Sequence, residues 1–319
     1  DRFSDREHGG FLWRLDAFGR PLDVSKKIYG QAFSIYALSE YHLATGAPEA
    51  LAAARATFDL VERHAHDADR GGYVETLARD WSAATEQRLS DKDLDAPKSM
   101  NNHLHILEAY TNLYRVWPEA TVAERLGELI DLFDRHIVGR TRAGSHLRHF
   151  FDEQWHPVSQ EYTFGHDIEA AWLLVEAAEV LRDKDRSRRM SAVAEAIARS
   201  ALEQALDKDG GLVYEGRGGT IVDPNREWWC QAEAVVGFWQ AYSATGDESF
   251  AAAARKVWQF IEQRVVDRQG GEWFWRVLAD NAIDDSEPKV SEWKGPYHNM
   301  RMCLEMLRRL EEGATGERE

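Results

Sequence analysis

The stretch RLSDKDLDAPKSMNNHLHILEAYTNLYRVWPE at 88–119 shows the organisation that recurs along this chain. A polar loop leads into a segment whose apolar residues recur at i, i+3, i+4 and i+7, which is the spacing of one face of an α-helix. The segment is polar at its start and apolar further along. This pattern is typical of an inner helix in a ring of paired helices, where the start opens into a cavity and the body is buried.

A Gly-Gly turn precedes this stretch and is repeated elsewhere in the chain. It occurs in HGGFLW (8–13), RGGYVE (70–75), DGGLVYE (209–215) and QGGEWFW (269–275). The intervals between the first glycines are 62, 139 and 60 residues, so the long interval predicts a further unit within it. RAGSHLRHFFDEQWHP (142–157) fits that place with Gly-Gly reduced to Ala-Gly. Self-similarity at a fixed period indicates stacked supersecondary units.

Two helical segments follow each turn. The first of each pair lie in KKIYGQAFSIYALSEYHLATG, KSMNNHLHILEAYTNLYRVW, FGHDIEAAWLLVEAAEVL, NREWWCQAEAVVGFWQAYSATG and GPYHNMRMCLEMLRRLEEG, and the second begin near Pro48, Ala120, Arg189 and Glu248. Five inner and four outer helices predict an all-α fold, an (α/α)6 toroid or barrel with short β-hairpins on one face. We expect one domain over 1–319, with about three N-terminal helices of the ring missing.

Composition narrows the possible functions. Lys and Arg number 39 against 55 Asp and Glu, a formal charge of −16, which argues against nucleic-acid binding. No run approaches the ~18 apolar residues of a membrane span, and the polar start does not resemble a signal peptide. Two cysteines in helical segments suggest no disulfide framework. We therefore expect a cytoplasmic protein with no membrane partner.

The candidate functional residues fall at the polar starts of the inner helices. Each residue alone is more simply explained as a structural one, but a ring would direct all of them toward one cavity. His103 and His105 point nearly opposite ways and are poor joint metal ligands. Because no Cys cluster, HExxH motif or carboxylate–histidine triad is recognised in the sequence, no metal site is predicted, and no cofactor is predicted either. The candidates are Asn101 and His105, His166 and Glu169, Trp229 and Glu233, and Trp293, His298 and Arg301.

At these residues the sequence resembles the N-acylglucosamine 2-epimerase superfamily along essentially the whole chain. The strings that carry the resemblance are KKIYGQAFSIYALSEYH, RLSDKDLDAPKSMNNHLHILEAYTNLYRVWPE, FGHDIEAAWLL, WWCQAEAVVGF, GGEWFWRV and EWKGPYHNMRMCLE. The resemblance implies an (α/α)6 barrel. It also implies metal-free interconversion of glucose and mannose at the reducing end of β-1,4-linked disaccharides.

The resemblance also implies roles for individual residues. His166 and His298 match the two acid/base histidines, and His105 matches a residue associated with ring opening. The polar positions around the substrate are matched by Tyr29, Asp93, Asn101, Glu169 and Glu233. The aromatic platforms on which a sugar ring stacks are matched by Trp229 and Trp293. Relatives carry further N-terminal helices with a substrate-contacting arginine, which we expect to be missing here, and Cys230 stands where proline is usual.

The chemistry explains why two histidines are expected. Epimerisation at C2 requires a base to remove the proton beside an open-chain aldehyde and an acid to return one on the other face. Histidine serves both purposes because its unperturbed pKa of ~6.5 leaves both protonation states accessible. Because Glu169 lies one helical turn after His166, it is expected to orient that imidazole. Glu233 is expected to orient His298 or to bind a hydroxyl group.

Alternatives remain open at this point. The site could serve an aldose–ketose isomerase or a mannose epimerase. Glu169 and Glu233 could be the carboxylate pair of an (α/α) glycoside hydrolase. An inactive sugar-binding toroid is a further class.

The expected partner is a disaccharide substrate, and the expected oligomeric state is a monomer or homodimer. The aromatic side chains divide accordingly: Trp229 and Trp293 are predicted platforms, while Trp172 and Trp258 are predicted to pack in helix bodies.

Overall fold

The structure, a computed structural model, describes residues 2–91 and 93–315, with side chains as far as residue 311. Within these residues the chain is mostly helical. Nine α-helices are described: α1 (Ile28–Thr45), α2 (Pro48–His64), α3 (Met100–Val116), α4 (Ala120–Leu132), α5 (Phe164–Val180), α6 (Lys184–Gln204), α7 (Trp228–Thr245), α8 (Glu248–Phe260) and α9 (Tyr297–Thr315).

The predicted order of inner and outer helices is confirmed in this part of the chain. The five segments predicted as inner helices form α1, α3, α5, α7 and α9. Three of the four outer helices begin at the predicted residues, and α6 begins at Lys184 rather than near Arg189. The charged run at the start of α6 hid this beginning, because solvent-facing helical turns carry no apolar signal.

Helix ends follow ordinary capping chemistry. Ser99 precedes α3, and its side-chain oxygen accepts from the Asn102 backbone N–H at 3.1 Å. Gly46 and Gly246 end α1 and α7 in the left-handed conformation that glycine adopts without steric cost. Pro48 stands at the first position of α2, where its missing N–H is not needed.

Outer helices bury one face. The inner helices α3, α5 and α7 bury most of their residues, whereas α1 and α9 leave most of theirs partly or fully exposed. In α8 the buried side chains Phe250, Ala254 and Val257 follow helical spacing. Each large apolar side chain buried in this way contributes about 1.5–3 kcal/mol. α3, by contrast, is buried along nearly its whole length, including its polar start. The polar groups in that start must therefore find partners inside the protein.

Thirteen short strands accompany the helices in the described residues. They are β1 (Arg14–Leu15), β2 (Pro21–Asp23), β3 (Lys26–Lys27), β4 (Thr76–Leu77), β5 (Lys98–Ser99), β6 (Val138–Thr141), β7 (Gly144–Leu147), β8 (Phe150–Phe151), β9 (Glu161–Thr163), β10 (Glu215–Arg217), β11 (Thr220–Asp223), β12 (Arg226–Glu227) and β13 (Arg276–Val277). All pairings are antiparallel, and the hairpin predicted near 140–150 is formed by β6 and β7.

Four inner helices are joined at their start to the hairpin of the next repeat. The strand before each helix pairs with that hairpin: β3 with β4, β5 with β8, β9 with β10 and β12 with β13. The first helical N–H then donates to a hairpin carbonyl, as Ile28 does to Glu75 at 3.0 Å and Met100 to His149 at 2.8 Å. Because the first N–H groups of a helix have no partner within the helix, this bond satisfies one of them and fixes the helix start.

Buried lysines tie the same junctions to the glycine turns. Lys26 Nζ lies 2.9 Å from an Asp5 carboxylate oxygen and 2.7 Å from the Gly9 carbonyl, with both charged side chains fully buried. Lys98 repeats the contact with Asp67 at 2.8 Å and with the Gly71 carbonyl at 2.8 Å. A lysine before an inner helix is thus paired with an aspartate that precedes Gly-Gly.

The second glycine of two turns is required by close approach. A Cβ on Gly10 would lie 2.7 Å from the Trp81 ring, and a Cβ on Gly72 would lie 2.5 Å from the Trp155 ring. Both glycines also have positive φ, 66° and 77°. At these two turns the second glycine is therefore required because a tryptophan of the next repeat lies against the turn.

The described chain forms two compact units by contact. One comprises residues 1–138, 148–160 and 176–187, and within it α1 packs on α2 and α3, and α3 on α4. The other comprises residues 139–147, 161–175 and 188–319, and within it α7 packs on α8 and α9. A single domain over 1–319 stays a prediction.

None of the helices described here is both long enough and apolar enough to cross a membrane.

Replacing Lys26 tests the lysine junction. Lys26→Met should lower the free energy of unfolding by about 3 kcal/mol, because Asp5 then keeps a buried charge with the half-exposed Arg79 as its remaining cationic partner. Lys26→Met combined with Asp5→Asn should recover part of this loss, since no buried charge remains. Urea titration of both variants measures the difference, and equal stability of Lys26→Met and the unchanged chain would contradict the junction's role.

Candidate active site

A buried ion-pair network lies at the start of α9. His298 Nδ1 lies 2.7 Å from Glu233 Oε1. Arg301, one turn further along α9, donates from Nη2 to Oε1 of Glu169 at 2.6 Å and to Oε1 of Glu233 at 2.7 Å. The sequence prediction that Glu233 orients His298 agrees with this contact. The network brings α5, α7 and α9 together around the positive charge of Arg301, which both carboxylates share.

Glu233 is the centre of this network. It is 1% exposed, and its second oxygen accepts from Trp172 Nε1 at 3.0 Å. Burial alone would raise the pKa of Glu233, but the charge of Arg301 and the hydrogen bond from His298 outweigh it and lower the pKa to about 2. Glu233 is therefore a carboxylate at neutral pH and a fixed acceptor for the histidine.

Arg301 is held almost entirely by protein groups. Its side chain is 7% exposed, and the guanidinium lies 4.8 Å from the Trp172 ring centroid and 4.2 Å from that of Tyr297. It also donates to the Tyr297 hydroxyl. This geometry gives Arg301 the task of holding two carboxylates in place. Its predicted contact with substrate stays a prediction.

One indole touches both histidines that were predicted to be catalytic. The Trp229 ring centroid lies 4.7 Å from that of His166 and 5.4 Å from that of His298. Trp229 reaches this place because Gly165 leaves room: a Cβ there would lie 2.6 Å from the Trp229 ring. The structure therefore brings His166 and His298 to one aromatic surface, although 132 residues separate them in the sequence.

His166 is held by a residue that the sequence analysis did not single out. Its Nδ1 lies 2.5 Å from the hydroxyl oxygen of Thr163, the last residue of β9. The sequence assigned the orientation of His166 to Glu169, whose Oε1 is bonded to Arg301. That role of Glu169 stays a prediction, while Thr163 supplies a hydrogen bond at the ring itself.

A buried aspartate–histidine pair supports the first turn of α5. Asp167 accepts from the Leu147 backbone N–H at 2.7 Å, and its other oxygen lies 2.7 Å from His146 Nδ1. Burial raises the pKa of Asp167 against these bonds. The His146 ring stacks on Tyr162 at 3.8 Å. His146 is buried, because β7 places it against the first turn of α5.

His105 lies in the unit formed by the N-terminal half of the chain. It is 4% exposed, and its Nδ1 lies 3.0 Å from Glu108 Oε2, one turn along α3. The rings of Tyr29 and Phe33 lie 5.1 and 4.8 Å from the His105 ring. Tyr29 is therefore in direct ring contact with His105, and its predicted contact with substrate stays a prediction.

Asn101 and Asp93 occupy different surroundings. Asn101 Oδ1 is buried and has no hydrogen-bond partner among the residues that the structure describes, so it is an acceptor available to a ligand. Asp93 lies in a loop, where its carboxylate accepts from the backbone N–H of Ser90 at 2.8 Å and from its hydroxyl at 2.7 Å. The structure thus shows Asp93 closing a turn, and its contact with substrate stays a prediction.

His103 has a structural role. Its Nδ1 donates to the Ser99 carbonyl at 2.6 Å, and its Nε2 accepts from the Tyr73 N–H at 2.9 Å. Burial lowers the pKa of His103 to about 4, so the ring is neutral near pH 7.

The predicted division of the tryptophans needs one correction. Trp172 packs in the body of α5 as predicted, and its Nε1 also bonds Glu233. Trp258 is 39% exposed on α8 rather than buried. Trp293 lies in the loop before α9 with 41% of its surface exposed, which leaves its face accessible, and its platform role stays a prediction.

Three of these residues have ligand atoms close enough for a metal ion. Among the described residues, ligand atoms of Glu169, Glu233 and His298 lie within 4.8 Å of one another. The sequence analysis found no such carboxylate–histidine group, because its members are far apart in the chain. Arg301 already places a positive charge 2.6 and 2.7 Å from both carboxylates, which a metal ion would have to displace. Metal-free chemistry stays a prediction.

Local spacing could have found some of the missed residues. Glu108 and Thr163 each lie three residues from their histidine, a distance that brings side chains together at a helix. Trp172 and Tyr297 reach the network from their own positions on α5 and α9, and no local pattern marks them.

The chain is similar to known proteins over nearly its whole length. The pattern of the family described as N-acylglucosamine 2-epimerase (GlcNAc 2-epimerase) matches residues 1–301. A cellobiose 2-epimerase of Bacteroides fragilis is 44% identical over 308 residues, which is 96% of this chain and 78% of that protein. A D-mannose isomerase of Marinomonas mediterranea is 27% identical over 318 residues, covering 95% of this chain and 76% of that protein.

The fold has a close counterpart among solved structures. A cellobiose 2-epimerase from Bacillus thermoamylovorans matches with a TM-score of 0.91 at 38% identity, covering 97% of this chain and 78% of that chain. The predicted fold class, helices paired in the (α/α)6 manner with short hairpins, is confirmed by this likeness and by the helical content.

Substitution of Glu233 tests the network by its pH dependence. The folded-state pKa lies near 2 against an ordinary value of 4.5, so the ionised carboxylate stabilises the folded chain above about pH 4.5 and this contribution is lost as the pH falls toward 2. Glu233→Gln should therefore be less stable than the unchanged chain at pH 6, and the difference should shrink between pH 4.5 and 2. Chemical denaturation across this range measures it. A difference that stays constant with pH would contradict the ion pair.

Proposed function

The chain belongs to the N-acylglucosamine 2-epimerase family, and we propose that it is a cellobiose 2-epimerase. It converts the reducing-end glucose of β-1,4-linked disaccharides such as cellobiose and lactose reversibly to mannose. The observation that carries the proposal is the contact of one indole, Trp229, with two imidazoles, His166 and His298, each with Nδ1 hydrogen-bonded.

The reaction needs two proton-transfer groups in one place. In the open-chain sugar the aldehyde acidifies the C2 proton, a neutral imidazole removes it, and an imidazolium on the other side returns one to the enediolate. A single group would return the proton to the face it came from unless the intermediate turned over. Two histidines around one platform meet this requirement, because each engages a different side of a sugar ring or chain held against Trp229.

The partners of Nδ1 assign the transfer to Nε2. Glu233 accepts from His298 Nδ1, so Nε2 of that ring is the nitrogen that exchanges protons with the sugar. The ionised carboxylate also stabilises the imidazolium that forms when His298 takes a proton. Arg301 and Trp172 in turn fix the carboxylate, which keeps the imidazole oriented through the catalytic cycle.

His105 and Asn101 are assigned to ring opening and substrate positioning by the family resemblance. Glu108 holds His105 at Nδ1, and the buried Oδ1 of Asn101 is an unsatisfied acceptor for a sugar hydroxyl. A histidine that exchanges a proton with the ring oxygen or the anomeric hydroxyl opens the pyranose and generates the aldehyde that epimerisation requires.

A glycoside hydrolase fits the same carboxylates poorly. Such enzymes need one protonated carboxyl group as general acid beside a second carboxylate. The pKa of Glu233 is lowered to about 2, and Arg301 bridges Glu233 and Glu169. Both carboxyl groups are therefore committed to the arginine, and Glu233 carries no proton to donate at neutral pH.

Aldose–ketose isomerisation is the second candidate, favoured by the likeness to a D-mannose isomerase. It uses the same enediolate but returns the proton to C1, so the product distinguishes the two reactions. A cytoplasmic location, a disaccharide as the preferred substrate and a monomeric or homodimeric state belong to this proposal as well.

Incubation with cellobiose in D₂O tests the reaction and its two bases. We expect 4-O-glucosyl-mannose carrying deuterium at C2, identified by NMR of the separated products. His166→Ala and His298→Ala should each lower kcat by at least about 100-fold, the usual contribution of a general acid or base.

His156→Ala is the matched control, because this histidine is 75% exposed and bonded to Asp152. It should epimerise cellobiose at the unchanged rate. Formation of a ketose instead of the mannose epimer would contradict the proposal and indicate an aldose–ketose isomerase. Release of free glucose would indicate a glycoside hydrolase.

A further inference from the structure

The contact between Thr163 and His166 is built into a rigid junction. Thr163 is 5% exposed and pairs through its backbone with Glu215 in the sheet of β9 and β10. The next residue, Phe164, donates its backbone N–H to the Tyr214 carbonyl at 3.0 Å. The hydroxyl of Thr163 is thus fixed relative to the start of α5, and a strand residue cannot move away without breaking these bonds.

The far side of the same helical turn is fixed as well. Asp167 follows His166 directly and is bonded to the Leu147 N–H and to His146, both at 2.7 Å. Asp167 is fully buried, so these two bonds are shielded from water. His166 is therefore placed between two anchored residues, and the 2.5 Å contact between its Nδ1 and Thr163 Oγ1 follows from the fold rather than from a chance rotamer.

Thr163 holds the place before α5 that Ser99 holds before α3. The Ser99 hydroxyl oxygen accepts from the backbone N–H of the residue three positions on, Asn102. The Thr163 hydroxyl contacts the side chain of the residue three positions on, His166. The residue before α5 therefore holds an imidazole.

We propose that Thr163 is a positioning residue for His166 in C2 epimerisation, an inference that rests on the proposed function. Nδ1–H of His166 donates to Thr163 Oγ1, which leaves Nε2 as the base that takes the C2 proton. After the transfer both ring nitrogens carry a proton and the Nδ1–H bond is unchanged. In the reverse direction Nε2 gives its proton to C2 of the enediolate, and the neutral Nδ1–H form returns.

The hydroxyl also makes the two exchanging histidines inequivalent. His298 has a carboxylate at Nδ1, and that negative charge stabilises its imidazolium form. Thr163 places a hydroxyl, which carries no charge, at the same nitrogen of His166. The two rings therefore differ in the chemistry of their Nδ1 partners, a carboxylate and a hydroxyl.

Thr163→Val and Thr163→Ser separate the hydroxyl from the shape of the side chain. Valine keeps the branched side chain that suits the strand and removes the acceptor. We expect kcat for cellobiose epimerisation to fall by about 10- to 100-fold with little change in KM, which is the usual cost of losing a group that orients an imidazole. Thr163→Ser keeps the hydroxyl and should keep most of the activity.

A second measurement does not depend on turnover. Long-range ¹H–¹⁵N NMR of histidine-labelled protein reports the tautomer of His166, assigned with His166→Ala. The unchanged chain and Thr163→Ser should show the Nδ1–H form at high pH, and Thr163→Val should show the mixture of tautomers typical of an unrestrained imidazole. If Thr163→Val fails to fold, Thr163→Ala is measured in its place.

Asp247→Ala is the matched control for helix capping. Asp247 caps α8 by accepting from the Ser249 N–H at 2.9 Å, so its loss lowers stability without touching His166. It should leave kcat and the His166 tautomer unchanged. The inference is overturned if Thr163→Val keeps the unchanged kcat or the Nδ1–H tautomer, or if Thr163→Ser loses as much activity as valine. A chain that does not epimerise cellobiose at all overturns the proposed function instead, and the NMR comparison still tests the contact.

Discussion

The hydrogen bond from the first N–H of an inner helix to the hairpin of the next repeat is the constraint on which the remaining structure depends. Phe164 donates to Tyr214 at 3.0 Å and Trp228 donates to Trp275 at 2.9 Å, as Ile28 and Met100 do at their own junctions. A helix start carries several N–H groups that the helix cannot satisfy, so a partner there is both stabilising and orienting. Because Asn101, His166 and Trp229 lie in these same first turns, the bond that holds each repeat to the next also fixes these three residues.

Burial of charge gives the site its second organising feature. Glu169 and Glu233 are removed from water, which would strongly disfavour two carboxylates without compensation. Arg301 supplies the compensation with one nitrogen bonded to both, and the rings of Trp172 and Tyr297 flank its guanidinium. The carboxylates therefore keep fixed positions, and Glu233 transmits that rigidity to His298.

The three histidines that the sequence predicted to be catalytic are held at the same ring nitrogen, each by a different residue. Each has Nδ1 hydrogen-bonded, His105 to Glu108, His166 to Thr163 and His298 to Glu233. The sequence predicted the histidines from their place at helix starts and from family resemblance, and it foresaw the partner of His298. It missed Glu108 and Thr163 although both lie three residues away, because many polar residues at that spacing face solvent instead.

What the sequence determined by itself is the repeating architecture. Gly-Gly turns and helical periodicity are local consequences of backbone conformation and of which face is apolar, so they predicted five inner and four outer helices and most helix starts. Only the tertiary structure decided which charges meet. Trp172, Glu233 and Arg301 come from three helices, and Trp229 touches both His166 and His298 because Gly165 lets the two helices approach closely. Such contacts depend on how distant helices pack, and no local sequence pattern encodes that distance.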